Sequence, residues 1–147
     1  MPTKKHEESP LDRFRRVFVE INAPKGGLPT MPTKIADVAS DELGDMLARY
    51  TAWREFTEDR HAEACATYAQ CKSEYDLEVD KAVLRVEGQS VTERKAKANS
   101  DPQVEILYRR VSESNIYREL LANKLDSFSN VLAMLSRELT RRGVTNM

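Results

Sequence analysis

The sequence has few of the residues that break helices or staple small folds. Its 147 residues include five glycines, six prolines, two cysteines and two histidines. No apolar run approaches the roughly 18 residues of a membrane-spanning helix, and the N-terminal MPTKKHEESP lacks the apolar core of a signal peptide. We therefore expect a cytoplasmic protein that has no membrane partner.

The cysteines and histidines provide few candidates for a disulfide, a metal site or a reactive centre. Cys65 and Cys71 are six residues apart on a predicted helix, about 9 Å along its axis, so they cannot bridge each other and are expected to be reduced thiols. His61 and Cys65 have a spacing that can hold a metal, but core packing is favoured, and we predict no metal and no cofactor. The chain has no Gly-rich phosphate loop, nucleophile elbow or H-E-x-x-H motif. We predict that it is not an enzyme.

Charge of neither sign dominates the chain. Charged residues make up 32% and apolar residues 40%, and 23 Lys and Arg nearly balance 24 Asp and Glu. Residues 1–34 carry seven cations against four acids, residues 35–71 three against eight, and residues 72–147 thirteen against twelve. The chain is therefore not a strongly basic nucleic-acid binder overall, but its acidic middle could orient partners.

High charge and few helix breakers favour long helices over sheets. Between Ser40 and Pro102 there is no proline, and after Gly44 the next glycine is Gly88, so a helix of about 70 Å is predicted over 41–87. Spacings of three and four, typical of a coiled-coil seam, connect Leu43, Met46, Tyr50, Trp53, Thr57, His61, Ala64, Tyr68, Cys71, Tyr75, Val79, Ala82 and Val86.

A basic connector separates this helix from a second long one. Ser90 and Glu93 have the spacing of a capping box, although Thr92 could cap instead. A short helix, TERKAKAN, follows, and Asp101 then begins a helix predicted over 102–142. Its seam comprises Val104, Leu107, Val111, Ser114, Arg118, Leu121, Leu125, Phe128, Leu132, Leu135 and Leu139.

The N-terminal segment is predicted to be a tethered arm. Residues 11–21, LDRFRRVFVEI, have apolar side chains at helical spacing, and a Pro- and Gly-containing linker occupies 23–34. We predict that this short amphipathic helix docks on a partner or a neighbouring subunit through Leu11, Phe14 and Phe18. The domain boundaries follow: an arm over 1–34 and a helical hairpin oligomerisation domain over 35–147.

The expected fold is all-α: a long antiparallel, coiled-coil-like hairpin with a tethered helix. A bare hairpin of this length buries one face of each helix, which is little core for the chain entropy that it must offset. Apolar side chains also lie off the seams, at Leu84, Ile116, Tyr117, Leu120 and Val131. We therefore expect a homo-oligomeric bundle or ring.

Two groups of cations stand out. Arg94, Lys95 and Lys97 place three cations in four residues of the connector, where they could contact phosphate or simply form a solvated helical turn. Near the end of the last helix, cations favour the helix dipole. In an antiparallel hairpin they are expected to form salt bridges with acids at the start of the first long helix; these cations are Arg137, Arg141 and Arg142, and the acids are Asp41, Glu42 and Asp45.

Residues 40–143 resemble the phage recombination mediator proteins of the UvsY type. The similarity lies in Tyr50-Thr-Ala-Trp53 near the start of a long helix, in the end of that helix at Gly88 ahead of a basic segment, and in a final helix that ends Arg-Arg-Gly at 141–143. The resemblance implies a homo-oligomer that binds single-stranded DNA and loads a RecA-like recombinase onto strands coated with single-strand-binding protein, in the host cytoplasm. The DNA-facing positions that it implies are Lys72, Lys81, Arg85, Arg94, Lys95 and Lys97.

Two functions therefore stay open. The first is this single-stranded-DNA-binding mediator. The second is a phage virion or assembly protein that acts through protein–protein contacts only, which the near-neutral charge and the acidic stretch between Trp53 and Cys71 favour.

Overall fold

The structure is a computed structural model that describes residues 7–143. The outermost residues of the predicted arm, 1–6, and of the predicted hairpin domain, 144–147, lie outside the described residues. Every regular element in the described part is helical. In chain order the elements are α1 (Pro10–Val17), a 3₁₀ turn (Ile35–Asp37), α2 (Ser40–Arg85), α3 (Val91–Asn99) and α4 (Pro102–Arg141).

The long helix α2 has 46 residues and begins and ends within two residues of its predicted bounds. The Leu43 amide already donates to the carbonyl of Ala39, so the first turn is formed at Ser40. Helical bonding continues only as far as the Val86 amide, which donates to Ala82. The chain then leaves the helix ahead of Gly88, in agreement with the sequence.

The connector helix α3 is capped by Ser90, which settles the choice that the sequence left open with Thr92. The Ser90 hydroxyl accepts from the Glu93 amide at 3.1 Å, and the Glu93 carboxylate accepts from the Gln89 amide at 3.1 Å. The first bond satisfies an amide that the helix itself leaves without a partner, and the second ties the residue ahead of the cap to the first turn. Both bonds join residues at most four positions apart, so the local sequence alone fixes where α3 begins.

The second long helix, α4, has 40 residues and begins as predicted. The Asp101 carboxylate accepts from the Gln103 amide at 2.8 Å, and Pro102 occupies the first helical position, where a missing N–H has no consequence. Gly143 follows its end with φ of +74°, a left-handed conformation that glycine adopts without steric strain.

By its contacts the chain divides into two compact units, and the division crosses both long helices. Among the described residues, the connector unit comprises Ala62–Glu119 together with residues 7–10. The aromatic unit comprises Leu11–His61 and residues 120–143. Each unit contains one stretch of α2 and one stretch of α4, and in each unit these two stretches pack together.

In the aromatic unit the two helices run antiparallel. Arg142 reaches Ser40 at one end, and the ring of Phe128 lies 6.0 Å from that of Tyr50 further along. Thr57, a polar seam residue, is fully buried and donates to the Trp53 carbonyl at 2.7 Å. The buried side chains of this unit are Val17, Leu43, Tyr50, Trp53, Phe56, Thr57, Leu121, Phe128, Leu135 and Leu139.

The N-terminal segment packs against α2 of its own chain in this unit. The predicted helix over 11–21 is too long: α1 ends at Val17, and the Val19 amide turns back to the Arg16 carbonyl. The residues of the predicted linker also lie against α2, because Trp53 donates its indole N–H to the Gly27 carbonyl at 2.9 Å. The Tyr50 hydroxyl similarly donates to the Pro29 carbonyl, at 3.0 Å.

The arginines at the end of α4 do not pair with the acids that the sequence suggested. Arg142 donates to the carbonyls of Ile35 (3.1 Å), Ala36 (3.2 Å) and Val38 (2.6 Å), and so clamps the 3₁₀ turn. Its ion-pair partner is Glu138 of its own helix, at 3.0 Å. The backbone carbonyls around the turn thus take the place of the expected carboxylates.

The connector unit buries fewer side chains, and most of them are small: Ala64, Ala82, Ala98, Val104 and Ser114, beside Leu107 and Tyr117. Ala82, Ala98 and Val104 are buried together, and Tyr75, Val79 and Val83 pack against them. Arg118 interrupts the apolar seam of α4, but its guanidinium lies 4.0 Å over the Tyr68 ring, so a cation–π contact replaces apolar packing at that position. Tyr75 meets Tyr108 at 5.8 Å, which again makes the two helices antiparallel.

Candidate functional site

The six cations that the resemblance assigned to DNA all lie in the connector unit. Five of them are exposed, and Arg94 is half-buried. They are distributed over the last part of α2 and over α3. Their surroundings divide them into three groups.

Arg85 and Lys97 are held by other groups of the connector unit. The Arg85 guanidinium lies 2.7 Å from the Glu78 carboxylate. The Lys97 ammonium donates to the Glu87 carbonyl at 2.7 Å and lies 3.5 Å from the Glu93 carboxylate. Such exposed pairs are weak and exchange readily, but they cancel part of the positive field that phosphate would meet.

Arg94 has a structural position. Its Nε is buried without a hydrogen-bond partner among the described residues. Its Cγ lies so close to Gly88 that a Cβ added there would be 2.9 Å away. Arg94 thus fills the turn between α2 and α3, and its side chain is less available to a ligand than the sequence suggested.

Lys72, Lys81 and Lys95 are exposed and form no ion pair within residues 7–143. They do not form one patch. Nine residues separate Lys72 from Lys81, which turns them about 180° apart on α2 and about 13 Å apart along it. The structure therefore brings Arg94, Lys95 and Lys97 together on α3 but leaves the two lysines of α2 on opposite sides of that helix.

The predicted partner-binding residues of the arm also differ in their surroundings: two pack within the chain and one is accessible. The Phe14 ring packs edge-on against Phe18 at 5.0 Å, and Phe18 lies 5.8 Å from Trp53 of the same chain. Leu11 is 44% exposed and remains accessible. Val19 and Ile21 are more exposed still. Binding of a partner by the arm stays a prediction.

A second stripe of side chains on α2 escaped the sequence reasoning, which had singled out only Leu84. It lies opposite the seam, within the connector unit, and all its members are exposed. We call it the outer stripe: Ala62, Ala66, Ala69, Ser73, Leu77 and Leu84. The signal was present in the sequence, because these residues recur at spacings of three, four and seven, but the stronger aromatic seam on the other face masked it.

Shallow clefts lie in both units among the described residues. In the connector unit a cleft of about 290 Å³ is lined by Tyr75, Asn99, Val104, Glu105 and Tyr108. In the aromatic unit a cleft of about 370 Å³ is lined by Pro24, Lys25, Ala48, Arg49, Ala52 and Trp53. The first has one carboxylate and the second two cations at the rim, so neither lining pairs an acid with a base.

One carboxyl and one phenol group of the aromatic unit have perturbed pKa values, and the hydrogen bond to Glu138 raises the pKa of Arg141. Hydrogen bonds from Arg141 hold the pKa of Glu138 at about 2, below its usual value of 4.5, and Arg142 acts in the same direction. Burial raises the pKa of Tyr50, although the nearby Arg49 opposes the shift. Both groups are structural partners of the backbone or of arginine, so these shifts do not identify a reactive centre.

Neither a metal cluster nor a membrane helix occurs in residues 7–143. No three His, Cys, Asp or Glu side chains come together there to hold an ion. His61 and Cys65 are both half-buried, and neither Cys65 nor Cys71 forms a disulfide within these residues. Within the same residues, no helix combines the length and apolar character needed to cross a bilayer.

The fold defines an all-α protein built on two long, paired helices. No protein-family model, no curated protein and no solved structure matches this chain. The resemblance to recombination mediators thus rests on residues of this chain alone, and the surfaces of the two units are the features that bear on its function.

Proposed function

We propose that the chain is a non-enzymatic, self-assembling helical protein that acts through protein–protein contacts in a reducing, cytoplasmic compartment. One observation carries the proposal. Leu77 and Leu84 are 56% and 85% exposed, and their separation by seven residues puts them on the same face of α2. Isolated exposed leucines are ordinary on a protein surface, but an apolar face in register along a helix is typical of a surface that another protein covers.

The state of the cations supports the same proposal. Arg85 and Lys97 are engaged with carboxylates, and Arg94 is half-buried. A formal net charge of −1 adds no general attraction for nucleic acid. A component of a phage virion or of its assembly scaffold is one such protein, and the accessible Leu11 and Ile21 offer it a second contact surface.

Sedimentation velocity over a wide range of protein concentration tests this proposal. We expect species heavier than the 16.8 kDa monomer that persist at physiological salt, because apolar contacts are only weakly screened. A monomer at every concentration, together with no partner retained in a pull-down, would contradict the proposal.

A single-stranded-DNA-binding mediator is the second candidate, and Lys95 is the observation that favours it. This side chain is exposed on α3, free of ion pairs within residues 7–143, and two residues from Lys97. Repeated around an oligomer, such a site would gain avidity. Its partners would be a RecA-like recombinase and single-strand-binding protein.

Fluorescence anisotropy of a labelled single-stranded oligonucleotide tests the second candidate. We expect saturable binding that weakens steeply with salt and is lost in Lys95→Glu. The matched control is Lys34→Glu, an equal charge change at an exposed lysine of the aromatic unit. No binding at low salt, or equal effects of the two changes, would rule out this site.

A further inference from the structure

The outer stripe has a symmetry that goes beyond the presence of apolar side chains. Counted from Ser73, its members lie 4 and 11 residues away on both sides, at Ala69 and Leu77 and at Ala62 and Leu84. Ala66 lies seven residues before Ser73, and the exposed Asp80 lies seven residues after it. The stripe therefore reads with the same spacing in both directions along the helix.

We propose that a second copy of this chain binds the outer stripe, with the two α2 helices antiparallel and a two-fold axis beside Ser73. In that arrangement each leucine meets an alanine of the other copy: Leu77 faces Ala69, and Leu84 faces Ala62. Large and small side chains then alternate across the contact, which lets two helices approach closely without voids. A two-fold axis also means that both copies use the same surface, as in most homodimers.

Charge complementarity along both edges of the stripe supports this occupant. On one edge Lys72 comes next to Asp76 of the other copy, and on the opposite edge Lys81 comes next to Glu63 of the other copy. Both lysines are exposed and form no ion pair within residues 7–143. The two-fold axis repeats each pair, so the dimer has four opposite-charge contacts among these residues.

A parallel dimer would lack these advantages. It would place Asp80 opposite Asp80 of the other copy in the centre of the contact, where like charges repel. It would also stack leucine on leucine and alanine on alanine, which leaves the alanine layers underpacked. The antiparallel arrangement instead places each Asp80 beside Ala66 of the other copy, separated from its symmetry mate.

This inference rests on the proposed function, because it specifies which surface self-assembly uses. It also gives Lys72 and Lys81 a different role from the one that the resemblance implied. The two lysines lie on opposite sides of α2, so they cannot form a single DNA-binding patch. A partner helix that contacts both edges of the stripe requires one charged residue on each side, which is where the two lysines lie.

Cysteine cross-linking tests the register in the full chain. In a Cys65→Ser, Cys71→Ser background, Ala69→Cys and Leu77→Cys are made as two separate proteins. Mixed under a mild oxidant, they should form a disulfide-linked heterodimer, whereas each alone should not, because its two cysteines would be about 12 Å apart along the axis. Gln103→Cys, exposed on α4, is the control for random collision.

Charge exchange tests the edges of the stripe. Lys72→Glu and Asp76→Lys should each raise the dimer dissociation constant about tenfold, since each places like charges in contact. An equimolar mixture of the two proteins should recover association, because every 72–76 contact in the heterodimer again pairs opposite charges. Circular dichroism checks that both variants keep their helix content.

The outcomes separate the inference from the proposed function. Cross-linking of each cysteine variant with itself, or no recovery on mixing the charge variants, would overturn the antiparallel register even if the protein assembles. Oligomers that are unaffected by Leu77→Glu and Leu84→Glu together would show that assembly uses another surface. A wild-type protein that is monomeric at every concentration would overturn this inference, and would contradict the proposed function as well if a pull-down retains no partner.

Discussion

The aromatic unit and the connector unit bury different kinds of side chain. Among residues 7–143, eight side chains larger than alanine are almost fully inaccessible, and of these only Val104 lies in the connector unit. The aromatic unit contains Trp53 and Phe128, and it has backbone groups of the N-terminal segment bonded to its rings. The connector unit has an alanine-rich core and a row of exposed leucines on α2. The two units thus differ in the size of the side chains that they bury, and the proposed dimer places its contact surface on α2 of the connector unit.

The largest expected effect comes from emptying the aromatic core. Trp53→Ala should lower the free energy of unfolding by about 3–5 kcal/mol, because it leaves a cavity and removes the bond to Gly27. Val104→Ala, the matched truncation in the connector unit, should lower it by only about 1–2 kcal/mol. Urea denaturation of both variants measures this, and equal losses would contradict the distinction between the units.

The arginine clamp should have the next largest effect. Arg142→Ala removes charge-assisted bonds to three carbonyls around the 3₁₀ turn and should lower the free energy of unfolding by about 1–3 kcal/mol. Arg137→Ala is the control, since Arg137 is exposed and forms no bond within residues 7–143. Its effect should stay within about 0.5 kcal/mol. Thermal or urea unfolding that ranks the two variants equally would show that the clamp adds no stability.

Replacing each of two glycines by alanine should change the stability of the protein in opposite directions. A Cβ at Gly88 would lie 2.9 Å from the Arg94 Cγ, so Gly88→Ala should destabilise the connector unit by about 1 kcal/mol. A Cβ at Gly44 meets no atom within 4 Å, so Gly44→Ala should stabilise α2 by about 1 kcal/mol through helix propensity. Denaturation midpoints that shift in the same direction would contradict the packing described for Arg94.

The smallest effect concerns acid stability of the aromatic unit. Glu138 has a pKa of about 2 in the folded chain against an ordinary 4.5. Its contribution to stability is therefore present above the unfolded value and is lost as pH falls from about 4.5 towards 2. Glu138→Gln should flatten the pH dependence of the urea midpoint in that window. A slope identical to that of the wild type would show that the arginine pairs do not stabilise the fold.

The long helices could be predicted because their signals are repeated many times. Proline is absent between Ser40 and Pro102, and the apolar spacing persists over six heptads, so errors at single positions average out. Local caps such as Ser90 were within reach for a related reason, since all partners lie within four residues. Even the polar seam residue Ser114 fits, because its hydroxyl donates to the Val111 carbonyl at 2.9 Å.

The features that could not be predicted from the sequence depend on contacts between residues far apart along the chain. Spacing alone does not show that the arm packs against Trp53 or that Arg142 binds carbonyls around Ile35. Any apolar or acidic group elsewhere in the chain would have satisfied the same residues. The candidate site shows the same limit. The resemblance implied that Arg94 faces DNA, but only coordinates place Arg94 against Gly88. The positions of Lys72 and Lys81 on opposite sides of α2 follow from their spacing once the helix is known.

The capped connector also bears on the order of folding. Its defining bonds join residues three to ten positions apart, as between Ser90 and Glu93 or Glu87 and Lys97. The clamp of Arg142 on Ile35 spans 107 positions. Contacts of short separation lose little chain entropy on closing and form early, whereas those of long separation form late. We expect the turn around α3 to nucleate the pairing of the two long helices, and hydrogen exchange during refolding to protect α3 before the amides near Ser40.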